Sequence, residues 1–439
     1  MMDISPFAIG IVGLFSLMGL LVIRVPVGIA LALVSFVGIW SIRGINAALG
    51  ALKTIPYDFA AHWTLSAVPM FLLMGTIVAG SGMTTHLYRA MRVWLGWLPG
   101  GLAVATNFAG AGFAAASGSS LATTATLGKI AVPEMLRLGY NPGLATGVAT
   151  AVGTLGAVIP PSIIIVLYAI FAQAPVGKVL IAGIIPGLLT AVIYAAMIII
   201  RTSLNPSLAP KASEEKLTFS DHLRIAAPIW PLPILIFGVI GGIYSGITTA
   251  TEAGAIGVVL AIVVTIVQGS FSLEVMRKSL VDAAITTATL ILIAIGAALF
   301  TRFLAFSGVP SIFSQMIVAA GTDTLLIVLM ISVVYIILGC FLDPLGVLLL
   351  TLPILLPVFK TANIDLVWIG IILVKYIEIG MLTPPVGLNV FIMKGVVGDA
   401  VPLTTIFRGV AWFIGAEVVV MALLIFFPEI TLFLPNFMD

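Results

Sequence analysis

Two interruptions of otherwise apolar segments carry the oxygen atoms best suited to bind an ion. They are TLGAVIPPSIII at 154–165 and IGMLTPPVGLN at 379–389, and each contains a Pro-Pro pair. Adjacent prolines remove two backbone N–H donors and push the preceding residue out of helical geometry, so carbonyl oxygens of the preceding turn lose their partners. Unpaired carbonyl groups are costly in lipid, whereas a hard cation such as sodium prefers oxygen ligands.

A second irregular element precedes each interruption. Segment 110–128, GAGFAAASGSSLATTATLG, is built from small and hydroxyl residues, and we interpret it as a re-entrant hairpin with its tip at 117–120. Its counterpart is 337–352, with a tip around Gly339 to Gly346. A hairpin tip that meets an interrupted helix brings together carbonyl and hydroxyl oxygens for a cation, while the N-termini of half-helices attract an anion.

Structural explanations stay open for both elements. A proline kink that packs against neighbouring helices accounts for either Pro-Pro pair alone. Close helix packing accounts for the small residues of 110–128, because small side chains let backbones approach each other. The occurrence of both devices in each half of the chain favours a transport site.

Few ionisable residues fall inside apolar segments, so each of them is a candidate functional group. Asp343 can ligate a cation, carry a proton or cap the helix that starts at Pro344, and the pattern does not choose between these roles. Lys375 and Glu378 stand three residues apart on one helix face. This spacing predicts that they neutralise each other.

The elements that hold these residues must be membrane-spanning helices. Of the 439 residues, 61% are hydrophobic and only 8% are charged, with a mean hydropathy of +1.27, whereas soluble domains carry about 25% charged residues. Long unbroken apolar runs contradict a β-barrel, whose strands alternate. We therefore predict an all-α polytopic membrane protein. The clearest runs, each near the length of one bilayer crossing, are 7–23, 25–41, 180–200 and 409–428.

Composition also excludes several classes of function. A net charge of +2 spread over many loops gives no nucleic-acid footprint. The lone Cys340 and three dispersed histidines offer no disulfide and no metal-ligand spacing. No pair of nucleophile and base stands out, which argues against an enzyme, and no rings of like residues suggest a channel. We expect no catalytic residues and no resident cofactor.

The chain divides into two halves around a polar segment. Residues 201–224 contain two prolines and four basic residues, which predicts a cytoplasmic linker between 1–200 and 225–439. Neither chain end carries a basic residue, which predicts that both termini are extracytoplasmic. Each half would then cross the membrane an odd number of times, so the halves are predicted to be inverted repeats. At an offset of 224 positions, both Pro-Pro pairs and the Pro133/Pro357 pair coincide.

Three segments resemble the large membrane subunit of TRAP (tripartite ATP-independent periplasmic) transporters. They are SGSSLATTATLG at 117–128, GYNPGLATGVATAVGTLGAVIPPS at 139–162 and MLTPPVGLNVFI at 381–392. The resemblance implies an elevator mechanism, in which a transport domain of two hairpins and two broken helices slides against a scaffold. The elements implied are an arm helix at 83–98, hairpins at 100–130 and 323–358, and broken helices at 142–172 and 365–397.

The resemblance also implies the ligands of the sites. Two sodium sites are expected, the first from Ser117, Ser119, Gly156, Ile159 and Pro161, and the second from Gly339, Gly380, Thr383 and Val386. The substrate is expected near Ser120, Thr123, Ser162, Asp343 and Asn389.

The resemblance implies a bacterial or archaeal protein of the cytoplasmic (inner) membrane that imports a small organic anion, a carboxylate or sulfonate, with Na+ as the coupling ion. Its implied partners are a small four-helix membrane subunit and a periplasmic substrate-binding protein. The alternative is a stand-alone cation-coupled anion transporter of the same architecture that uses no binding protein.

Overall fold

The fold of this chain is helical and membrane-spanning. A computed structural model describes residues 5–210, 218–319 and 323–438, and its regular structure within these ranges is entirely helical. Among the described residues, eight helical stretches are long and apolar enough to cross a membrane, and a ninth is added if Ser220–Ile229 and Pro231–Tyr244, bent by 49°, count as one span. The predicted all-α polytopic class is confirmed. Residues 211–217 of the predicted linker lie outside the described residues.

The chain begins with five helices of the first half. α1 starts where the Ser5 side chain accepts a hydrogen bond from the Ala8 amide at 3.2 Å, which satisfies one free donor of the first turn. α2 ends before Gly44, whose φ of +83° turns the chain. The five helices are α1 Pro6–Val22, α2 Val27–Arg43, α3 Ile45–Ala60, α4 Ala67–Gly80 and α5 Met83–Leu95.

The middle of the first half contains a helical hairpin followed by an interrupted helix. Asn141 starts the interrupted helix by accepting hydrogen bonds from the amides of Gly143 and Leu144. The helices are α6 Gly101–Ser117, α7 Ser120–Arg137, α8 Pro142–Gly153, α9 Leu155–Val158, α10 Ile163–Ala172, α11 Val176–Ala182 and α12 Ile184–Leu204.

The second half opens with helices that pack against the start of the first. A close crossing joins α2 to the long helix α16: a methyl group on Gly296 would lie 2.5 Å from the carbonyl oxygen of Gly28, so only glycine permits this approach. The helices are α13 Phe219–Ala226, α14 Pro231–Tyr244, α15 Ala250–Val267, α16 Leu273–Ser307 and α17 Val309–Ala319.

The remaining helices repeat the hairpin and the interruption. Asp365 accepts hydrogen bonds from the amides of Val367 and Trp368 at the start of the second interrupted helix, as Asn141 does in the first half. The helices are α18 Thr324–Phe341, α19 Pro344–Thr361, α20 Leu366–Leu382, α21 Leu388–Val397, α22 Leu403–Phe426 and α23 Glu429–Leu432.

The two halves share element boundaries at the constant offset of 224 positions. α7 and α19 start and end in register, α8 and α20 start in register, and the cis Pro160-Pro161 and Pro384-Pro385 bonds coincide. The halves therefore share one succession of hairpin and interrupted helix. Their inverted orientation in the membrane stays a prediction.

The first interrupted helix lies at the centre of the protein. In the most apolar part of Pro142–Ala172, 89% of the residues are buried, compared with 33% for Thr324–Phe341. The interior is thus built around the first interruption, and helices such as α18 turn much of their surface outward.

Candidate functional site

The first hairpin tip presents hydroxyl oxygens. α6 ends at Ser117, Gly118 adopts a left-handed φ of +62°, and Ser119 caps α7 by accepting from the Ala122 amide at 3.4 Å. The Thr123 hydroxyl donates to the Ser119 carbonyl at 2.8 Å and lies 2.9 Å from the Ser117 hydroxyl. Because the Thr123 proton goes to Ser119, Ser117 donates to Thr123 and keeps its own lone pairs for another partner.

This tip packs directly on the first interruption. A methyl group on Gly118 would lie 2.4 Å from the Pro161 carbonyl oxygen, and one on Gly156 would lie 2.6 Å from the Ser119 carbonyl oxygen. The Ile163 amide donates to the Gly118 carbonyl at 3.5 Å. The predicted ligands of the first sodium site therefore come from two segments that touch through their glycines.

The first interruption is buried along its length. Ile159 is extended, with φ −72° and ψ 122°, and the following Pro160-Pro161 bond is cis. Ser162 caps α10, and its hydroxyl donates to the Ala157 carbonyl at 2.5 Å. One carbonyl freed by the prolines is thus satisfied by a side chain of the chain itself. The fully buried Ser162 hydroxyl would have to change partner to bind substrate.

The second interruption packs against the end of α18. A methyl group on Gly380 would lie 2.7 Å from the Gly339 Cα. The Gly387 amide donates to the Cys340 carbonyl at 3.2 Å, and the Cys340 sulfur lies 3.4 Å from the Pro384 carbonyl oxygen. The predicted ligands Gly339 and Gly380 of the second site are brought together by these contacts.

Thr383 ends α20 at this interruption. Its amide donates to the Gly380 carbonyl at 3.0 Å, and its hydroxyl donates to the Ile379 carbonyl at 2.7 Å. Val386 follows in the non-helical stretch before Gly387, whose φ is +62°. Unlike the buried first interruption, Pro384 and Pro385 are exposed, so the two candidate sodium sites differ in their access to the surroundings.

Asp343 caps α19 at the second hairpin tip. Its carboxylate accepts a hydrogen bond from the Gly346 amide at 3.1 Å, and it occupies the position that Ser119 occupies in the first half. The capping role is observed. Its predicted contact with substrate or cation stays a prediction.

A buried ion pair lies in the second half. The Lys375 ammonium lies 2.6 Å from Glu417 Oε2 and donates to the Thr190 hydroxyl at 3.1 Å. The Tyr194 hydroxyl donates to Glu417 Oε1 at 2.6 Å. The prediction that Lys375 neutralises Glu378 is wrong, because a carboxylate from the distant helix α22 takes that place.

Glu378 instead contacts the first hairpin tip. The Ser120 hydroxyl donates to Glu378 Oε1 at 3.1 Å, and both residues are buried. Glu378 Oε2 has no hydrogen-bond partner among the described residues. This contact between the halves spans 258 positions, and no local spacing in the sequence indicates it.

Asn389 has the properties of a side chain that awaits a ligand. It is the second residue of α21, is fully buried, and neither its Oδ1 nor its Nδ2 has a hydrogen-bond partner within the described part of the chain. Buried amides are nearly always hydrogen-bonded. By contrast, the buried Asn107 donates to the Ala191 carbonyl at 2.8 Å. Substrate binding by Asn389 stays a prediction that this geometry supports.

We expect Gly118→Ala to destabilise the protein more than Gly82→Ala. Both glycines have positive φ, at +62° and +81°, but only Gly118 has a backbone carbonyl in the space of a new methyl group. Each change costs roughly 1–2 kcal/mol in backbone strain, and the clash at Gly118 should add at least about 1 kcal/mol. Thermal unfolding of the detergent-solubilised variants measures the difference. Equal losses would show that the tip does not press on the Pro161 carbonyl.

The sequence matches one family over most of its length. Residues 14–430 match the family described as "Tripartite ATP-independent periplasmic transporter, DctM component". The hairpins and interrupted helices described above all lie within these residues.

Similar proteins include permeases with different named substrates. The chain is 34% identical to the C4-dicarboxylate TRAP transporter large permease protein DctM of Pseudomonas aeruginosa, covering 87% of this chain and 88% of that protein. It is 31% identical to the sialic acid TRAP transporter large permease protein SiaM of Vibrio cholerae, covering 96% and 97%. It is 32% identical to the isethionate TRAP transporter permease protein DctMQ of Oleidesulfovibrio alaskensis, covering 90% of this chain and 61% of that protein.

A solved structure shares the fold. The Alcanivorax borkumensis YdaH transporter superposes with a TM-score of 0.64 at 15% sequence identity, covering 87% of this chain and 89% of that one. At this identity the likeness concerns the fold alone.

Proposed function

This chain belongs to the tripartite ATP-independent periplasmic transporters as their DctM component, the large permease, and from this premise we propose that it imports a small organic anion by sodium-coupled elevator alternating access. It is a secondary transporter and a multi-pass protein of the inner membrane. The observation that carries the proposal is the contact of each hairpin end with the proline interruption of its own half, at Gly118 and Pro161 and at Gly339 and Gly380.

Sodium coupling is supported by the kind of atom gathered at these contacts. The tip of the first hairpin carries the Ser117 and Thr123 hydroxyls, 2.9 Å apart, and packs on the Pro161 carbonyl oxygen of the interrupted helix. Hard monovalent cations bind such oxygens. Unwound backbone at membrane depth is tolerated where it is buried in protein or lines a cavity, and the first interruption is buried.

An elevator motion is supported by the division between buried and outward-facing elements. The central stretch Pro142–Ala172 is almost wholly buried, so the interruption cannot open to water without moving against its neighbours. We propose that the hairpins and interrupted helices move as one transport domain against the outer helices, that the linker at 201–224 is cytoplasmic, and that both termini are extracytoplasmic.

The substrate class is proposed to be a carboxylate or a sulfonate. The named substrates of the similar permeases are C4-dicarboxylates, sialic acid and isethionate, all of which carry such a group. Asn389, with two unpartnered amide atoms in the buried interior, is the side chain best placed to bind it. We propose that no resident cofactor takes part and that Na+ is the coupling ion.

The partners are proposed to be a small four-helix membrane subunit and a periplasmic substrate-binding protein. The family name describes a tripartite periplasmic system, and the chain covers 61% of the DctMQ relative, which leaves room in that protein for a further membrane segment. The stand-alone alternative requires neither partner. Uptake that proceeds at full rate without the binding protein would favour it.

Sodium-driven uptake tests the proposed function. The chain is reconstituted in liposomes together with candidate small subunits. Binding proteins that carry radiolabelled dicarboxylate, sialic acid or isethionate are then added outside the liposomes. We expect uptake to follow an inward sodium gradient and to stop when potassium replaces sodium. Uptake that follows an imposed proton gradient and ignores sodium would refute the proposed coupling.

The second sodium site has its own variant. Thr383→Ala should raise the sodium concentration needed for half-maximal uptake by about tenfold or more, since it removes one proposed ligand. Thr301→Ala is the matched control, because the Thr301 hydroxyl also donates to the carbonyl four residues before it, at 2.8 Å, but lies on α16. An equal effect of the two changes would assign Thr383 a structural role only.

A further inference from the structure

The ionisable groups buried around α20 do not balance in charge. Lys375, Glu378 and Glu417 are each at most 1% exposed. Lys375 and Glu417 form an ion pair at 2.6 Å, and Thr190 and Tyr194 complete it with hydrogen bonds. No salt bridge to Glu378 is found among the described residues. This cluster of two carboxyl groups and one ammonium group therefore has one more acidic group than basic groups, and the unpaired one is Glu378.

Glu378 lies beside the first candidate sodium site. It reaches the first site through the Ser120 hydroxyl at 3.1 Å, and the Ser119–Ser120 peptide packs on Gly156, where a methyl group would lie 2.6 Å from the Ser119 carbonyl oxygen. It belongs to the same helix as Gly380 of the second site, two residues before it, but side chains two positions apart on a helix point to different sides, so the carboxylate is assigned to the first site alone. One carboxylate therefore borders the first site without being among its proposed ligands.

The proposed ligands of the first sodium site are all electrically neutral. They are hydroxyl and carbonyl oxygens, which replace the hydration shell but leave the charge of the ion uncompensated. A charge taken from water into a protein interior is stabilised by an opposite charge nearby. Glu378 Oε2 is buried and makes no hydrogen bond within the described part of the chain, so one face of the carboxylate is free to face a cation.

We propose that Glu378 is the counter-charge for sodium bound at the first site. It acts through space and through Ser120, as a positioning residue that raises sodium affinity. This inference rests on the proposed sodium coupling. It adds that the affinity depends on a carboxylate that no helix interruption contains.

The decisive variant is Glu378→Gln. Glutamine keeps an oxygen that accepts from the Ser120 hydroxyl but removes the charge. Sodium affinity is measured from the sodium-induced rise in melting temperature of the purified protein, with choline at equal ionic strength as the reference. We expect the affinity to fall at least about tenfold, as for one unit charge lost about 10 Å away at an effective dielectric constant near 20.

The matched control removes the other charges of the cluster together. The double variant Lys375→Met with Glu417→Gln deletes a neutral pair and leaves the excess charge on Glu378, so sodium affinity should stay within about threefold. Glu378→Asp keeps the charge and should also retain most of the affinity. If Glu378→Gln does not purify as a folded protein, the sodium dependence of its uptake is measured in membrane vesicles and compared with that of Glu378→Asp, which keeps the charge.

The outcomes separate this inference from the function beneath it. Wild-type protein that neither gains stability from sodium nor needs it for uptake would refute the coupling itself. Wild-type protein that binds sodium, together with a Glu378→Gln variant of unchanged affinity, would refute the counter-charge alone. The counter-charge would also be refuted if the double variant lost as much sodium affinity as Glu378→Gln, because the double variant keeps the Glu378 carboxylate.

Discussion

Lys375→Met should destabilise this protein by about 3–5 kcal/mol, the usual loss when one partner of a buried ion pair is removed. The Glu417 carboxylate would remain in the interior with the Tyr194 hydroxyl at 2.6 Å as its hydrogen-bond donor and no ammonium group to balance it. Chemical or thermal unfolding in detergent measures the loss.

Two controls separate burial from charge. Arg137→Met breaks a pair with Glu134 at 3.0 Å in which the arginine side chain is 70% exposed, and should cost less than about 1 kcal/mol. Adding Glu417→Gln to Lys375→Met should restore most of the lost stability, because no uncompensated charge then remains. A single Lys375→Met variant as stable as the wild type would contradict the ion pair.

Asn389→Leu should abolish substrate uptake, a loss of about 100-fold or more, without lowering the stability of the empty protein. The buried amide makes no hydrogen bond with the described residues, so leucine, which branches at the same atom, removes an unsatisfied polar group worth roughly 1–3 kcal/mol. Uptake in liposomes and unfolding without substrate measure the two effects separately.

Asn107→Leu is the opposite case. The Asn107 Nδ2 donates to the Ala191 carbonyl at 2.8 Å, while its Oδ1 has no partner among the described residues. Its replacement should lower stability by about 1 kcal/mol, because that hydrogen bond is lost. If Asn389→Leu lowers stability to a similar degree and leaves uptake per folded molecule unchanged, Asn389 holds the fold and does not bind substrate.

Local sequence patterns predicted the features that depend on local chemistry. Adjacent prolines cannot continue a helix, so the positions of both interruptions follow from the printed sequence, as does the hairpin turn at Gly118, between Ser117 and Ser119. The all-α class is confirmed because it also depends on a local property, the length of the apolar runs, which separates spanning helices from other structures.

Long-range pairing could not be predicted from such patterns. The spacing rule that joined Lys375 to Glu378 describes side chains on the surface of a helix, but in the interior the tertiary neighbours decide. Glu417 lies 42 positions from Lys375 and Ser120 lies 258 positions from Glu378. Nothing in the spacing of one sequence indicates such contacts, and the ligands assigned to the two sodium sites stay predictions.

The shared offset of the two halves bears on how the chain arose. Spacers of equal length between hairpin and interruption are what duplication and fusion of one ancestral segment would leave. Before such a fusion, two identical copies of the segment would form a symmetric dimer, and every charged residue would occur in it twice. After fusion, each half can change independently of the other. At the positions of Lys375 and Glu378 the first half has Ala151 and Thr154. A fused chain can therefore carry one unmatched charge, which a symmetric dimer cannot.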